Sequence, residues 1–223
     1  MSIMQSIILG VVQGLTEFLP ISSSAHLNLF PWVFGWEQMP DSFDVALHIG
    51  TLLAIVIFFF KDWVNLIKGG YKQVVKKEKS TEGRIFWYLV IATIPAGILS
   101  LVLDKISSKI FEGNLNMEML IIAITLIIMG IVLYIVDKKA KSNTTYENIS
   151  LKQSILIGAS QALAAAFPGV SRSGITMTIA RAVGVDRESA AKYSFLLATP
   201  ITLAAVVFDL KSFTFDLSFF IGI

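Results

Sequence analysis

Pro168-Gly169-Val170-Ser171-Arg172-Ser173-Gly174-Ile175-Thr176 sets an arginine, two serines and a threonine between two hydrophobic runs. A charged side chain at membrane depth is costly, so by default it marks function. The planar guanidinium fork matches a phosphate bidentately, and glycines let backbone N–H groups come close to an anion. The plainer reading is a polar turn at the membrane surface. What surrounds the stretch decides between the two.

Upstream, 151–167 is apolar and interrupted, ending at Pro168; downstream, 173–185 returns and 193–210 is long enough to cross a bilayer, with Pro200 inside it. The N-terminal part repeats the pattern. Residues 2–19 are hydrophobic but carry Gln13 and Glu17, Pro20 breaks the run, Ser22, Ser23, Ser24 and His26 follow, and 27–34 is apolar again. Each part reads as a half-helix, a polar turn and a return, an arrangement tolerated at membrane depth only where it is buried in protein or lines a cavity.

Between the two hairpins lie apolar stretches at 43–60, 85–103 and 119–136, each long enough to span. Pro95 and Gly97 predict a kink in the second. The stretch 61–84 reads as a basic loop with seven Lys/Arg, 137–152 as an exposed linker with four Lys, and 217–223 as the start of another apolar segment. With 55% hydrophobic and 15% charged residues and a mean hydropathy of +0.73, the fold class is an all-α polytopic membrane protein. The absence of Cys excludes disulfides and thiolate chemistry. A net charge of +2, with its positives in loops, speaks for membrane orientation and against nucleic acid as a partner. Residues 1–20 do not read as a cleavable signal peptide.

Gly10, Gln13, Leu15 and Pro20 match Gly158, Gln161, Leu163 and Pro168 at a constant separation, and Leu53–Phe58 resembles Leu203–Phe208. Two such matches in order favour a duplication: 1–136 as the first repeat (hairpin 2–34 and the three spans) and 153–223 as the second. Three crossings between two re-entrant hairpins place their entrances on opposite sides. The repeats are then inverted, and the two polar turns can meet near the bilayer midplane. The loops 61–84 and 137–152 carry most of the positive charge and are expected to be cytoplasmic.

The turns would assemble Gln13, Glu17, Ser22, Ser23 and His26 with Ser171, Arg172, Ser173 and Thr176. Gln13 and Glu17 share a helical face. A carboxylate there can orient a nucleophile or hold a divalent cation with a phosphate. Ser23 and His26 are spaced as nucleophile and base, and Arg172 with its hydroxyl neighbours could clamp a phosphate. Taken singly, each has a structural reading: a serine cap, an interfacial histidine, a paired glutamate. His48 reads as a structural polar residue, Asp44 as a helix-start residue, and Arg181 and Arg187 as flanking charges.

Gln13-Gly14-Leu15-Thr16-Glu17-Phe18-Leu19-Pro20-Ile21-Ser22-Ser23-Ser24-Ala25-His26, together with the opening stretch, closely resembles the signature motifs of bacterial undecaprenyl-diphosphate phosphatases, the membrane enzymes linked to bacitracin resistance. Phe195-Leu196-Leu197 and Pro200 also look like that family. The resemblance implies hydrolysis of undecaprenyl diphosphate, an isoprenoid lipid, to undecaprenyl phosphate in the bacterial plasma membrane, which recycles the peptidoglycan carrier. It implies catalytic roles for Glu17, Ser23, His26 and Arg172, and substrate contacts from Gln13, Ser22, Gly169, Ser171, Ser173 and Thr176. It further implies a divalent cation (Mg or Ca) held by Glu17, with Gln13 as a second candidate, and leaves a homodimer open. The nucleophile stays open among Ser23, His26 and a water. A lipid flippase or transporter using the same residues is the alternative. Spans that the first repeat has and the second lacks would fall beyond Ile223, so the chain is expected to be shorter than its family.

Overall fold

The computed structural model describes residues 1–111 and 115–209, and among these the chain is helical with a single isolated β-bridge. In order the helices are α1 (Ile3–Thr16), α2 (Ser23–Phe34), α3 (Asp41–Phe58), α4 (Phe60–Tyr71), α5 (Thr81–Phe111), α6 (Leu115–Lys139), α7 (Leu151–Ser160), α8 (Ala162–Ala166), α9 (Arg172–Ala182) and α10 (Arg187–Asp209). The apolar segment expected at 217–223 lies outside the described residues.

Four of them, α3, α5, α6 and α10, are long and apolar enough to cross a membrane. Their exposed surfaces are apolar, as a lipid solvent requires: Ile94, Ile98, Ile127, Ile128 and Val207 all face outward. Pro95 and Pro200 lie inside α5 and α10 without ending either helix. The chain is a polytopic α-helical membrane protein.

The other helices are too short to cross. A helix of 14 residues, the length of α1, reaches ~21 Å, and one of 12, the length of α2, ~18 Å, against a hydrocarbon core of ~30 Å. α1 and α2 form one hairpin; α7, α8 and α9 form another, broken at Gln161. The two share local detail. α1 starts with a capping box in which Ser2 and Gln5 satisfy each other's backbone N–H groups, and α7 starts with the same device from Ser150 and Gln153. Ser22 caps α2 through the N–H of Ala25, and Ser171 caps α9 through the N–H of Gly174.

One expectation about the loops needs correction. The basic stretch 61–84 is largely helical: α4 runs on into a π-helical turn, Lys72–Lys76. Its lysines alternate with Leu66, Gly69 and Gly70, which are buried against the start of α5. A Cβ on Gly70 would sit 2.3 Å from the Phe86 ring, so glycine is what lets α4 approach. The stretch 137–152 is largely exposed, and it is anchored to the helices at several points. Thr144 bridges to Val185, Tyr146 N–H donates to Ser189 Oγ at 2.8 Å, and Ile149 is fully buried.

The largest core cluster joins α3, α4, α5, α7, α9 and α10 through Ile55, Leu66, Leu89, Ile157, Ala180 and Leu196. Gly158 makes the α5–α7 approach possible, since a Cβ there would lie 2.5 Å from the Ala92 carbonyl oxygen. This packing holds the second hairpin against α3, α5 and α10.

Candidate active site

Each hairpin turn ends in a serine cap, and each cap sits beside a second serine. Ser22 Oγ lies 3.3 Å from Ser24 Oγ, and Ser171 Oγ 3.1 Å from Ser173 Oγ. Ser22 takes a positive φ of 67°, uncommon for a residue with a Cβ, so the first turn is held in a strained conformation.

The turns touch directly. Ser173 Oγ donates to the Leu19 carbonyl at 3.2 Å, and the missing side chain of Gly174 leaves room for the Pro20 carbonyl, 3.2 Å from where a Cβ would be. This contact brings Arg172 onto Glu17 as an ion pair. Arg172 is held on its other side by Thr202 of α10, whose Oγ1 accepts from Nη1 at 2.7 Å. Glu17 Oε2 accepts from Ser23 Oγ at 2.5 Å and from Gln13 Nε2 at 3.3 Å. One carboxylate thus joins an arginine, a serine hydroxyl and an amide drawn from α1, the start of α2 and α9.

These groups line a cavity of ≈ 180 Å³, with Glu17, Ser22, Ser23, Ser24, Ser171, Arg172 and Ser173 in its wall. The structure therefore brings together most of the residues expected from sequence. Four of them it places elsewhere. His26 lies on α2 one turn beyond Ser22, its Nδ1 2.8 Å from the Ser22 carbonyl, and does not line the cavity. Thr176 is buried between α9 and α10, hydrogen-bonded to Ser194 and accepted by the Arg172 carbonyl at 2.9 Å. Gly169 has φ 89° and sits so close to α6 that a Cβ would be 2.9 Å from the Ile122 carbonyl oxygen. Gln13 is buried behind Glu17.

His48, read from sequence as structural, is in the cavity wall. Its Nδ1 is 2.9 Å from the Asp44 carbonyl and 3.7 Å from Asp44 Oδ2, which leaves the Nε2 edge as the free side of the ring. Nothing in the spacing of α3 points to the site, because His48 lies outside both hairpin motifs. The only signal was a histidine within an apolar span, itself a functional flag. Arg181, read as a flanking charge, is buried and donates to Asp137 Oδ1 at 2.7 Å.

As a cation site, the cavity offers few donors. Among the described residues no group of three or more His, Cys, Asp or Glu side chains converges. What it does offer is oxygen from Glu17 and the Ser23 hydroxyl; behind Glu17, outside the cavity wall, the buried Gln13 Oε1 has no hydrogen-bond partner among the described residues. A hard divalent cation bound by one carboxylate takes most of its remaining ligands from substrate phosphates and water, so this set suits a site completed by a diphosphate.

The family model described as bacitracin resistance protein BacA matches residues 6–222. The chain belongs to this family. It is 48% identical over 214 residues to a protein of Pelotomaculum thermopropionicum named undecaprenyl-diphosphatase, covering 96% of this chain and 77% of that one. Proteins of the same name from Caldicellulosiruptor bescii (46% identical, 92% and 74% covered) and Desulforudis audaxviator (44%, 98% and 81%) are similarly close. Both signature stretches fall inside the family match. The relatives' names lend no support to the flippase alternative.

Proposed function

We propose that this BacA-family chain is a membrane phosphatase that hydrolyses undecaprenyl diphosphate to undecaprenyl phosphate and inorganic phosphate. The observation that carries the reading is the Ser23–Glu17–Arg172 junction inside a polar cavity of a membrane protein. A hydroxyl on a carboxylate is a nucleophile beside a proton acceptor, and an arginine at the same point supplies the charge that a phosphoryl group needs.

In the reaction, Ser23 Oγ attacks the terminal phosphorus in line with the bridging oxygen. The new Oγ–P bond forms as the P–O bond to the lipid phosphate breaks. Glu17 Oε2 takes the hydroxyl proton, and water then releases inorganic phosphate from the serine. Arg172, steadied by Thr202, neutralises the phosphoryl oxygens, while Ser22, Ser171 and Ser173 supply further hydroxyls around them. His48 faces the same cavity and is the nearest imidazole for protonating the departing oxygen. A divalent cation, if held by Glu17 with Gln13 Oε1 and the diphosphate, would add charge neutralisation at the phosphates.

The hairpins are read as re-entrant, since their arms are short and their polar turns meet at a half-buried ion pair. The basic segments 61–84 and 137–152 are assigned to the cytoplasm of a bacterial plasma membrane by their Lys/Arg excess. On that assignment the cavity, which His48 reaches two turns into α3, is read as lying in the outer half of the bilayer.

The test is phosphate release from undecaprenyl diphosphate by the purified chain, compared with Arg172→Ala. Release that disappears with Arg172 supports the reading; turnover by the variant within a factor of about two of the unaltered protein would falsify it.

A further inference from the structure

On the far side of the first turn from the polar cavity, α6, α9 and α10 enclose a second cavity of ≈ 330 Å³. Its wall is largely apolar: Gly130, Leu133 and Tyr134 from α6, Met177 from α9, Ala190 from α10, and Pro20 of the first turn. Its mouth is basic. Arg181 Nε donates to Asp137 Oδ1 at 2.7 Å, and Arg187 Nη2 donates to Asp137 Oδ2 at 2.6 Å. Two guanidinium groups share the Asp137 carboxylate, with Asp186 also acting on Arg181, and Lys138 adds a further positive charge, its Nζ 5.7 Å from the centre of the Tyr134 ring.

Arg181 is spent inside the protein, where it also donates to Ser142 Oγ and the Val185 carbonyl. Arg187 is different: its side chain is paired yet 75% exposed. The excess charge is therefore presented at the rim, directly above the apolar slot. At Gly130 the slot is open, since a Cβ there would meet nothing within 4 Å.

We propose that this slot binds an anionic phospholipid, with its phosphate at Arg187 and Lys138 and an acyl chain against Gly130, Leu133 and Met177. A free anion would have no use for the apolar wall, and a zwitterionic lipid would leave the excess charge unanswered. Basic pockets between membrane helices recognise anionic headgroups by this combination. The mouth sits at the Lys-rich end of α6, the end assigned above to the cytoplasmic leaflet. The slot is separate from the cavity that holds Glu17, and its occupancy does not depend on the phosphatase reading.

The test is lipid retention by the purified full chain in detergent, read by native mass spectrometry. Phosphatidylglycerol and phosphatidylcholine are supplied at equal concentration, with glycerol 3-phosphate as a headgroup-only competitor. Phosphatidylglycerol is expected to be retained about tenfold better than phosphatidylcholine, and Arg187→Glu and Gly130→Leu are each expected to cut that retention about tenfold. Lys68→Glu on α4, away from the slot, leaves it unchanged. Gly130→Leu fills open space without breaking the Asp137 pair, so it decides the matter even if Arg187→Glu fails to fold. Phosphate release by Gly130→Leu stays at the level of the unaltered protein, which separates the slot from the catalytic cavity. Equal retention of the two lipids, full retention by Gly130→Leu, or displacement by glycerol 3-phosphate at equal concentration would each overturn the proposal.

Discussion

Glu17 and Arg172 stand 155 residues apart in the chain and form one ion pair where the two hairpin turns meet. Neither has an opposite charge in its own turn, so each is the other's reason for being tolerated at that depth. A pair of this kind is a weak source of net stability, but breaking it strands a charge, at a cost of ~3–5 kcal/mol. Arg172→Ala and Glu17→Gln are therefore expected to lower thermal stability as well as to remove phosphate release. Adding the second change to the first should cost far less than the two single costs combined, measured as a double-mutant cycle in detergent.

Ser23→Ala removes the hydroxyl that donates to Glu17 while leaving the helix start capped by Ser22. Phosphate release should fall at least ~10³-fold with little change in thermal midpoint. If release persists near the unaltered rate, a water is the nucleophile and Ser23 only orients it.

His48 and His26 separate two readings of the acid/base role. His48 lines the cavity and His26 does not. His48→Ala is expected to lower turnover ~10²-fold, and His26→Ala by clearly less, measured as kcat with saturating substrate. The reverse order would return the role to His26 and imply that α2 turns its histidine inward when substrate binds.

Gly158 packs on the α5 backbone at a distance that admits no side chain. Gly158→Leu must push α7 away from Ala92, and overpacking of this sort costs ~1–3 kcal/mol. A lower unfolding midpoint is expected, with release reduced only in proportion to the folded fraction. The same change at Gly130 is predicted to be neutral for stability, because its Cβ position is open.

Asp186 gives a pH dependence outside the spanning segments. Burial pushes its carboxyl up, but the Ser189 N–H at 2.9 Å and the Ser189 hydroxyl at 2.7 Å outweigh this and hold it below its usual value of 3.8. A folded-state pKa below the unfolded one contributes stability that is present above the unfolded value and is lost as pH falls through the folded one. Asp186→Ala should lower the thermal midpoint at pH 7 by the worth of a helix cap, ~1 kcal/mol. The gap between the two proteins should close as the pH is taken below 3.8.

Much of this was already written in the amino-acid sequence. The four spanning helices follow from the length and apolarity of their segments, because a bilayer demands that every backbone group be satisfied within a helix. The two hairpins follow from Pro20 and Pro168 and the serines after them, which are local punctuation. Glu17, Ser23 and Arg172 stood out because polar groups in such runs are costly. What sequence could not supply was anything set by approach between distant segments. Thr176 carries the motif's last hydroxyl, yet it faces Ser194 across α9 and α10. The basic stretch after α3 reads as a loop until two glycines let it pack on α5 as a helix. His48 enters the cavity only because α3 packs against α1 and α10. Periodicity and turn chemistry are local, so they determine which elements form. Which side chains share a cavity depends on how closely those elements pack, and that is decided by the three-dimensional fit of Gly158, Gly169 and Gly174 against their neighbours.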